Sequence, residues 1–435
     1  MLKFSISKES DISNTSKKIM KQTITILGLL TLSLLSVSTV NAQYDPLRGC
    51  VIGPNEECLP NVILSAVPFL RVAPDARGGG MGDSGIATSA DPNSLHYNSS
   101  KLAFVEKDMS FSATYTPWLR NLGLRDVYLA YLTGYKKVDD LQAIGMGLRF
   151  FSLGDIVFTD INGNQTGMGN PREFEFAVSY NRKLAENFSA GLTAKYIHSN
   201  LASGQMVGNL QISSANVFAA DLSMTYKKEG NLSAGGSEWT FGAALTNLGS
   251  KVSYTSSENE RKDFIPANLG IGAALELNFD DYNKMTFNID INKLLLPTPV
   301  SFEVVDSITG RKVRNPEWDE DGNGIADYKE QSIFGAAISS FGDAQGGFSE
   351  EIQEFNYSIG AEYWYANQFA VRAGYYYENP LKGDRQFLTA GIGIKYSVFA
   401  MDISYLIPTN NRRNPLDNTL RFTLQFDFEA LTGDY

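Results

Sequence analysis

"REFEFAVSYNRKL", residues 172–184, is the stretch that decides the fold. Phe174, Phe176, Val178 and Tyr180 alternate with Glu173, Glu175, Ala177 and Ser179. A period of two sends alternate side chains to opposite faces of a strand. One face here is aromatic and apolar; the other carries carboxylates. The pattern recurs in "KMTFNIDIN" (284–292), "FNYSIGAEYWY" (355–365), "FLTAGIGIKYSV" (387–398) and "LRFTLQFDFEAL" (420–431). In the last, Leu420, Phe422, Leu424, Phe426 and Phe428 oppose Arg421, Thr423, Gln425, Asp427 and Glu429. An aromatic-rich apolar face repeated over strands of about ten residues is the signature of an outer-membrane barrel.

A soluble β-sandwich produces the same alternation, so the connections arbitrate. Strands are read near 108–117, 124–136, 140–153, 172–184, 187–199, 215–228, 237–249, 265–279, 284–293, 354–366, 368–378, 386–397, 398–407 and 418–429. That is about fourteen, an even number as single-chain bacterial barrels have. After the first few, tight connections (185–187, 280–283, 366–368, 398–399) alternate with longer ones (154–171, 200–214, 250–264, 294–353, 379–385, 408–417). A barrel with one end in the periplasm and the other outside sorts its loops this way; a sandwich has no reason to. The fold class is therefore all-β: an antiparallel transmembrane β-barrel with long extracellular loops. In lipid every backbone N–H and C=O must be paired, and closure removes the unpaired edges. With the apolar face turned outward, Glu173, Glu175, Asp221, Asp290, Glu362, Arg372, Lys395, Asp402, Arg421 and Asp427 line the lumen. Their mixed signs predict a hydrated, salt-bridged interior rather than a catalytic carboxylate pair.

The 435 residues carry a formal charge of −11 and include two histidines and two cysteines. An acidic chain without a basic block does not read as a nucleic-acid binder. His96 and His198 lie far apart and fit neither a metal nor a triad motif. No catalytic residue is assigned, and a non-enzymatic protein is expected. Residues 1–42 read as an export signal, with Met20 a more natural start. Lys17, Lys18 and Lys21 precede an apolar run, and Val40 and Ala42 suit cleavage before Gln43. Residues 43–107 then form a periplasmic extension and a plug, and 108–435 the barrel. In an oxidising compartment Cys50 and Cys58 make one small-loop disulfide, with two free thiols as the alternative.

"RVAPDARGGGMGDSGIATSADPNSLHYNSS" (71–100) has almost no apolar periodicity. Its glycines lack the Gly-Lys-Ser/Thr of a phosphate loop. Placed just before the first strand, the segment reads as a plug folded into the lumen. Gly78, Gly79, Gly80 and Gly82 let the backbone run close to the wall. Asp75, Arg77, Asp83 and Asp91 are expected to pair with lumen charges.

Residues 69–104 resemble the amino-terminal signature of the PorV family, outer-membrane proteins of the type IX secretion system. The motif is Pro74-Asp75-Ala76-Arg77, then Met81-Gly82, Ala87, and Asp91-Pro92-Asn93 leading to Tyr97-Asn98. Where a common variant has Asn-Pro-Ala, this chain has Asn98-Ser99-Ser100. Sister proteins of the same superfamily share the signature, and the long-chain fatty-acid transporters are related in fold. The resemblance implies a shuttle that binds the carboxy-terminal signal domain of secreted cargo. It would collect cargo at the large translocon barrel and pass it to a surface attachment complex with a sortase-like protease.

The longest outer loop, 294–353, holds "DEDGNGIADYKE" (319–330). Asp319, Asp321, Asn323, Gly324, Asp327 and Glu330 stand at positions 1, 3, 5, 6, 9 and 12 of a calcium loop, with Ile325 offering its carbonyl. With Ile at position 7, the loop is similar to extracellular thrombospondin-type-3 and related bacterial calcium repeats. A structural Ca2+ that orders the loop is expected; a solvated acidic turn is the alternative. Downstream, Ile333, Ala337 and Phe341 share a helical face with Phe334 and Ile338 beside them. An apolar helix on an outer loop is read as a surface for cargo or translocon. Two classes of function remain: an adaptor of protein secretion, and a transporter of long-chain fatty acids or other hydrophobic small molecules. The long loop favours the adaptor. A lipid-modifying hydrolase would need a converging nucleophile and base, and a plain porin would be blocked by the plug.

Overall fold

The structure, a computed structural model, describes residues 43–45, 50–52, 58–59 and 62–428, the last interrupted at 121–122, 160–161, 208–209, 256–261, 301, 306–311, 345–346 and 411–418. Two units are distinguished, 1–59 and 60–435. In the first, Gln43–Asp45, Cys50–Ile52 and Cys58–Leu59 form a three-stranded antiparallel sheet. Cys50 and Cys58 fall on neighbouring strands of it, but their side chains lie outside the described part, as does the export signal.

The second unit is a closed antiparallel barrel of fourteen strands. In chain order these are β1 (Met109–Pro117), β2 (Val127–Asp139), β3 (Gln142–Leu153), β4 (Arg172–Ala185), β5 (Phe188–Asn200), β6 (Ala215–Gly230) and β7 (Ser237–Gly249). There follow β8 (Asn268–Asn278), β9 (Asn283–Leu294), β10 (Phe355–Tyr365), β11 (Phe369–Tyr377), β12 (Gln386–Tyr396), β13 (Phe399–Pro408) and β14 (Leu420–Phe428). Each strand pairs with its neighbour in sequence, and β14 closes on β1 with Phe422 opposite Tyr115 and Phe428 opposite Met109. Closure leaves no edge for lipid to meet.

Alternation along each strand is inverted relative to a soluble protein. In β14, Arg421, Thr423 and Asp427 are buried while Phe422, Leu424, Phe426 and Phe428 are exposed. Two rows of aromatic contacts mark the ends of the outward face. At the long-loop end Phe174, Tyr196 and Phe218 run side by side, as do Tyr115, Tyr128 and Phe150. At the short-turn end Phe111 meets Phe428, and Phe399 meets Phe426. Girdles of aromatic residues at both ends of the apolar band are what a transmembrane barrel shows. The sorting of loops holds for the whole barrel, including the first connection at 118–126.

Inside the barrel runs the segment 62–107, built from single turns at Pro68–Arg71, Ala76–Gly79, Ser94–Tyr97 and Ser99–Phe104. It enters at the long-loop end, where the Ala66 amide donates to the Phe264 carbonyl (2.8 Å). Val67, Phe69 and Leu70 pack there against Val127, Leu129, Phe151, Ile197 and Val217. Its far end reaches the short turns, where Phe104 lies beneath Lys183 and Lys227. Residues 62–72 thus sit at the mouth opposite to the periplasmic one, and the plug threads the full lumen.

Candidate functional site

All ten side chains assigned to the lumen face inward, and most meet the plug or one another. Arg77 donates to both oxygens of Glu362 (3.0 and 2.8 Å) and to Asp91 (2.9 Å). Glu362 also accepts from Arg372 (2.6 Å), which donates to Asp402 (2.7 Å). Arg421 donates to Asp83 (2.5 Å). Asp290 accepts from the backbone amides of Gly85 (2.7 Å) and Ile86 (2.9 Å). Opposite, Lys195 pairs with Asp221 (2.7 Å), and Arg149 with Glu175 (3.4 Å). Charges removed from water persist only when so matched.

Two of the four expected plug-to-wall pairings differ. Asp75 caps the turn at Ala76–Gly79, accepting from the Gly78 amide (2.8 Å) and from the Tyr97 hydroxyl (2.8 Å). A carboxylate at a turn's N-cap satisfies an amide that has no partner within the helix. Asp91 is drawn to Arg77 within the plug rather than to the wall. Arg149 and Lys101 were not among the residues singled out. Arg149 donates to the Phe69 and Leu70 carbonyls (3.3 and 3.2 Å) and contacts His96 Nδ1 (2.6 Å). Lys101 donates to the Gly85 carbonyl (2.5 Å). Arg149 was legible, since Met146, Leu148 and Phe150 put Gly147 and Arg149 on the lumen face. Lys101 lies in the plug, which has no period to read.

The wall meets the plug through glycines of its own. Gly82 adopts φ +73° against the Tyr375 backbone, and a methyl on it would come within 2.7 Å of the Tyr375 carbonyl oxygen. Across the seam Gly374 faces the Met81 and Gly82 backbone, and a methyl there would clash with both. The Cα of Gly391 would lie 3.2 Å from a methyl on Gly80. A cavity of about 110 Å³ remains between plug and wall, lined by Arg71, Asp83, His96, Tyr97, Lys195 and Asp290 among others. Pockets that enclose a drug-sized ligand span roughly 300–1,000 Å³, so this one suits a few waters. Larger apolar hollows of about 710 and 340 Å³ lie on the outward face among Phe111, Leu132 and Met146, and among Met224, Phe241 and Ile289. Those surfaces face acyl chains.

Above the lumen the long loop is clasped to the rim. Lys293 donates to Glu351 and Glu354 (both 2.6 Å), and Lys382 to Glu350 (2.7 Å) and Glu354 (3.0 Å). The helix Ile333–Ser339 is capped by Ser332, whose hydroxyl accepts from the Gly335 amide (3.0 Å). Its apolar residues divide between two faces. Ala336 is fully buried and Ala337 packs beside it against Ile63, Phe264, Leu294, Leu295 and Leu296. Phe334 and Ile338 point away, 71% and 77% exposed, with Phe341 also exposed and Ile333 half-buried. Phe348, 79% exposed, lies on the next turn, Phe348–Glu351. The small residues alone meet the helix's own packing needs, and the large ones are left over.

Within the calcium-like loop, one carboxylate oxygen each from Asp319, Asp321 and Asp327 lies within 4.8 Å of the other two. Glu330 is joined to Asp321 through the Asn323 amide.

Together, the aromatic belts, the inverted alternation and the charge-matched plug define a plugged β-barrel of the bacterial outer membrane. Residues 55–301, more than half of the chain, match the family described as "Type IX secretion system protein PorV". The chain belongs to the PorV family and is an outer-membrane component of type IX secretion. Among curated proteins none matches it. Solved structures similar to it include the toluene transporter TbuX of Ralstonia pickettii, 13% identical, with 82% of this chain and 98% of that one covered and a TM-score of 0.47. The toluene transporter TodX of Pseudomonas putida is 13% identical over 81% of this chain and 95% of its own, with a TM-score of 0.43. A FadL homologue of Pseudomonas aeruginosa is 10% identical over 85% and 100%, with a TM-score of 0.40.

Proposed function

We propose that this barrel acts without catalysis as a carrier in type IX secretion. It binds the carboxy-terminal signal domain of exported cargo at its outer loops and moves that cargo from the translocon barrel to the surface attachment complex. The observation that carries the reading is the apolar pair Phe334 and Ile338, held outward on a clasped loop. Large exposed apolar side chains on a rigid scaffold are the usual mark of a protein contact. Loop 295–352 is the first contact surface, and loops 154–171 and 200–214 the second. The lumen supports the same reading, because its charge-matched seam leaves about 110 Å³ at the one cavity between plug and wall described above. The test is purification of the tagged protein from its own outer membrane, with mass spectrometry of what accompanies it. Recovery of a very large barrel, or of secreted proteins sharing one carboxy-terminal domain, is the expected result. Recovery of the barrel with fatty acids or similar lipids alone would overturn it in favour of hydrophobic small-molecule transport.

A further inference from the structure

The geometry of the loop 319–330 points to a bound calcium ion: we propose that Asp319, Asp321, Asn323, Asp327 and Glu330 hold Ca2+ through side-chain oxygens and Ile325 through its carbonyl, and that the ion fixes the base of the outer apolar helix.

Four observations carry this. First, carboxylate oxygens of Asp319, Asp321 and Asp327 already converge within 4.8 Å of one another. Calcium takes oxygens at about 2.3–2.6 Å, so oxygens on opposite sides of one ion stand roughly 5 Å apart. Second, the Asp319 side chain has no solvent exposure, and only one of its oxygens is used. Oδ2 pairs with Arg314 and accepts from the Gly324 amide (3.0 Å), while Oδ1 is buried with no hydrogen-bond partner. A buried carboxylate oxygen without a protein donor calls for a water or a cation beside it. Third, the Asn323 amide nitrogen sits 2.9 Å from Asp321 Oδ2 and 3.0 and 3.1 Å from the two oxygens of Glu330. Its partial positive charge occupies the place between the third ligand and a two-oxygen twelfth ligand where a cation belongs. Turning this amide over would bring its oxygen to the ion and release the bond that oxygen accepts from the Ile325 amide (2.7 Å). Fourth, Gly322 and Gly324 adopt φ +75° and +83° with open space where a side chain would be. The chain needs glycine there for the sharp turn that wraps ligands around one point.

Charge selects the ion. Four carboxylates face one guanidinium, that of Arg314, which leaves an excess of negative charge that a divalent cation would largely offset. Counting both oxygens of Glu330, the donors number seven, which suits calcium and exceeds the octahedral demand of magnesium. The last two ligands lie on the turn Asp327–Glu330. Lys329 on this turn pairs with Asp263 (2.7 Å), and its carbonyl accepts from Lys251 (2.6 Å). Asp263 is in turn joined to Val252 by paired backbone bonds of 2.8 Å. The turn that carries these two ligands is therefore tied to a neighbouring loop, three residues ahead of the helix that carries Phe334 and Ile338.

The experiment uses the full chain in detergent with terbium as the probe, because Trp318 stands next to Asp319 and can sensitise its emission. The expected result is saturable emission, displaced by Ca2+ at about 10⁻⁴–10⁻³ M as for other extracellular modules, and not by equal Mg2+. Asp321→Asn combined with Glu330→Gln should weaken terbium binding at least tenfold. Both residues are exposed, so the variant should keep the heat-dependent gel mobility of a folded barrel. Calcium should also slow proteolysis within 319–354 several-fold in the parent and not in the variant. Emission and proteolysis unchanged in the folded variant, or displacement by Mg2+ as effective as by Ca2+, would overturn the proposal.

Discussion

The plug and the long outer loop are built from the same residues, glycine and aspartate, for opposite reasons. At Gly82 the missing side chain makes room for the barrel's own backbone, and at Gly374 the wall makes room in return. At Gly322 and Gly324 nothing lies within 4 Å, and glycine serves only the turn angle. The acids divide likewise. Asp75, Asp83 and Asp91 each find a protein donor within the lumen. In the loop, four carboxylates crowd together and a buried oxygen of Asp319 goes without one. The difference is one of charge: the lumen acids Asp83, Asp91 and Glu362 each meet a guanidinium, whereas in the loop four carboxylates share that of Arg314.

That contrast can be broken most forcefully at Arg77. Arg77→Ala strips Glu362 of a two-point partner and leaves Asp91 without its guanidinium. Loss of one member of a buried charge network costs about 3–5 kcal/mol. Denaturant titration followed by gel mobility should show that loss, and a midpoint unchanged from the parent would refute the seam as a source of stability. Gly374→Ala comes next. A methyl pressed against backbone on the far side of the seam costs about 1–3 kcal/mol. It should also raise conductance in planar bilayers as the plug shifts; a silent, stable variant would mean the seam yields more easily than its geometry implies.

On the other side of the comparison, Phe334→Asp with Ile338→Asp should leave stability within about 0.5 kcal/mol, as exposed substitutions do. Cargo recovered with the tagged barrel should fall at least tenfold; undiminished recovery would remove this helix from the contact surface. The smallest effect is one of pH. The Asp319 carboxyl lies below the usual aspartate range: burial pushes it up, but the Gly324 amide and the Arg314 guanidinium outweigh burial. A depressed value in the folded loop contributes order above the ordinary aspartate pKa of about 3.9. That order is lost as pH falls through the lower folded value. In calcium-free buffer, proteolysis within 319–330 should therefore stay constant from neutral pH down to roughly pH 4 and rise only below it. A rise beginning near neutrality would show that another group controls the loop.

Much of this was open to reading along the chain. The alternation in 172–184 matches β4 at Arg172–Ala185, and that in 420–431 contains β14 at Leu420–Phe428. The lumen-facing set followed from the same period, because a strand's two faces are fixed by local backbone geometry. The seam was not legible in this way. Arg77 and Glu362 are 285 positions apart, and Gly374 meets Gly82 from a strand whose glycines look unremarkable in sequence. The helix at Ile333–Ser339 was anticipated, but its face was not. Helical spacing grouped Ile333, Ala337 and Phe341, whereas packing chose the small residues Ala336 and Ala337 to lie against the rim.

Local rules therefore determined the strands, their two faces, the order of long and short connections, and the spacing of acidic residues at 319–330. Each depends on residues within about a dozen positions, where backbone geometry dictates direction. Tertiary structure alone decided that the plug runs from the outer mouth to the inner one, which charges it meets, and which apolar side chains remain uncovered. Those outcomes depend on groups brought together across hundreds of positions by closure of the barrel, and no local period records them.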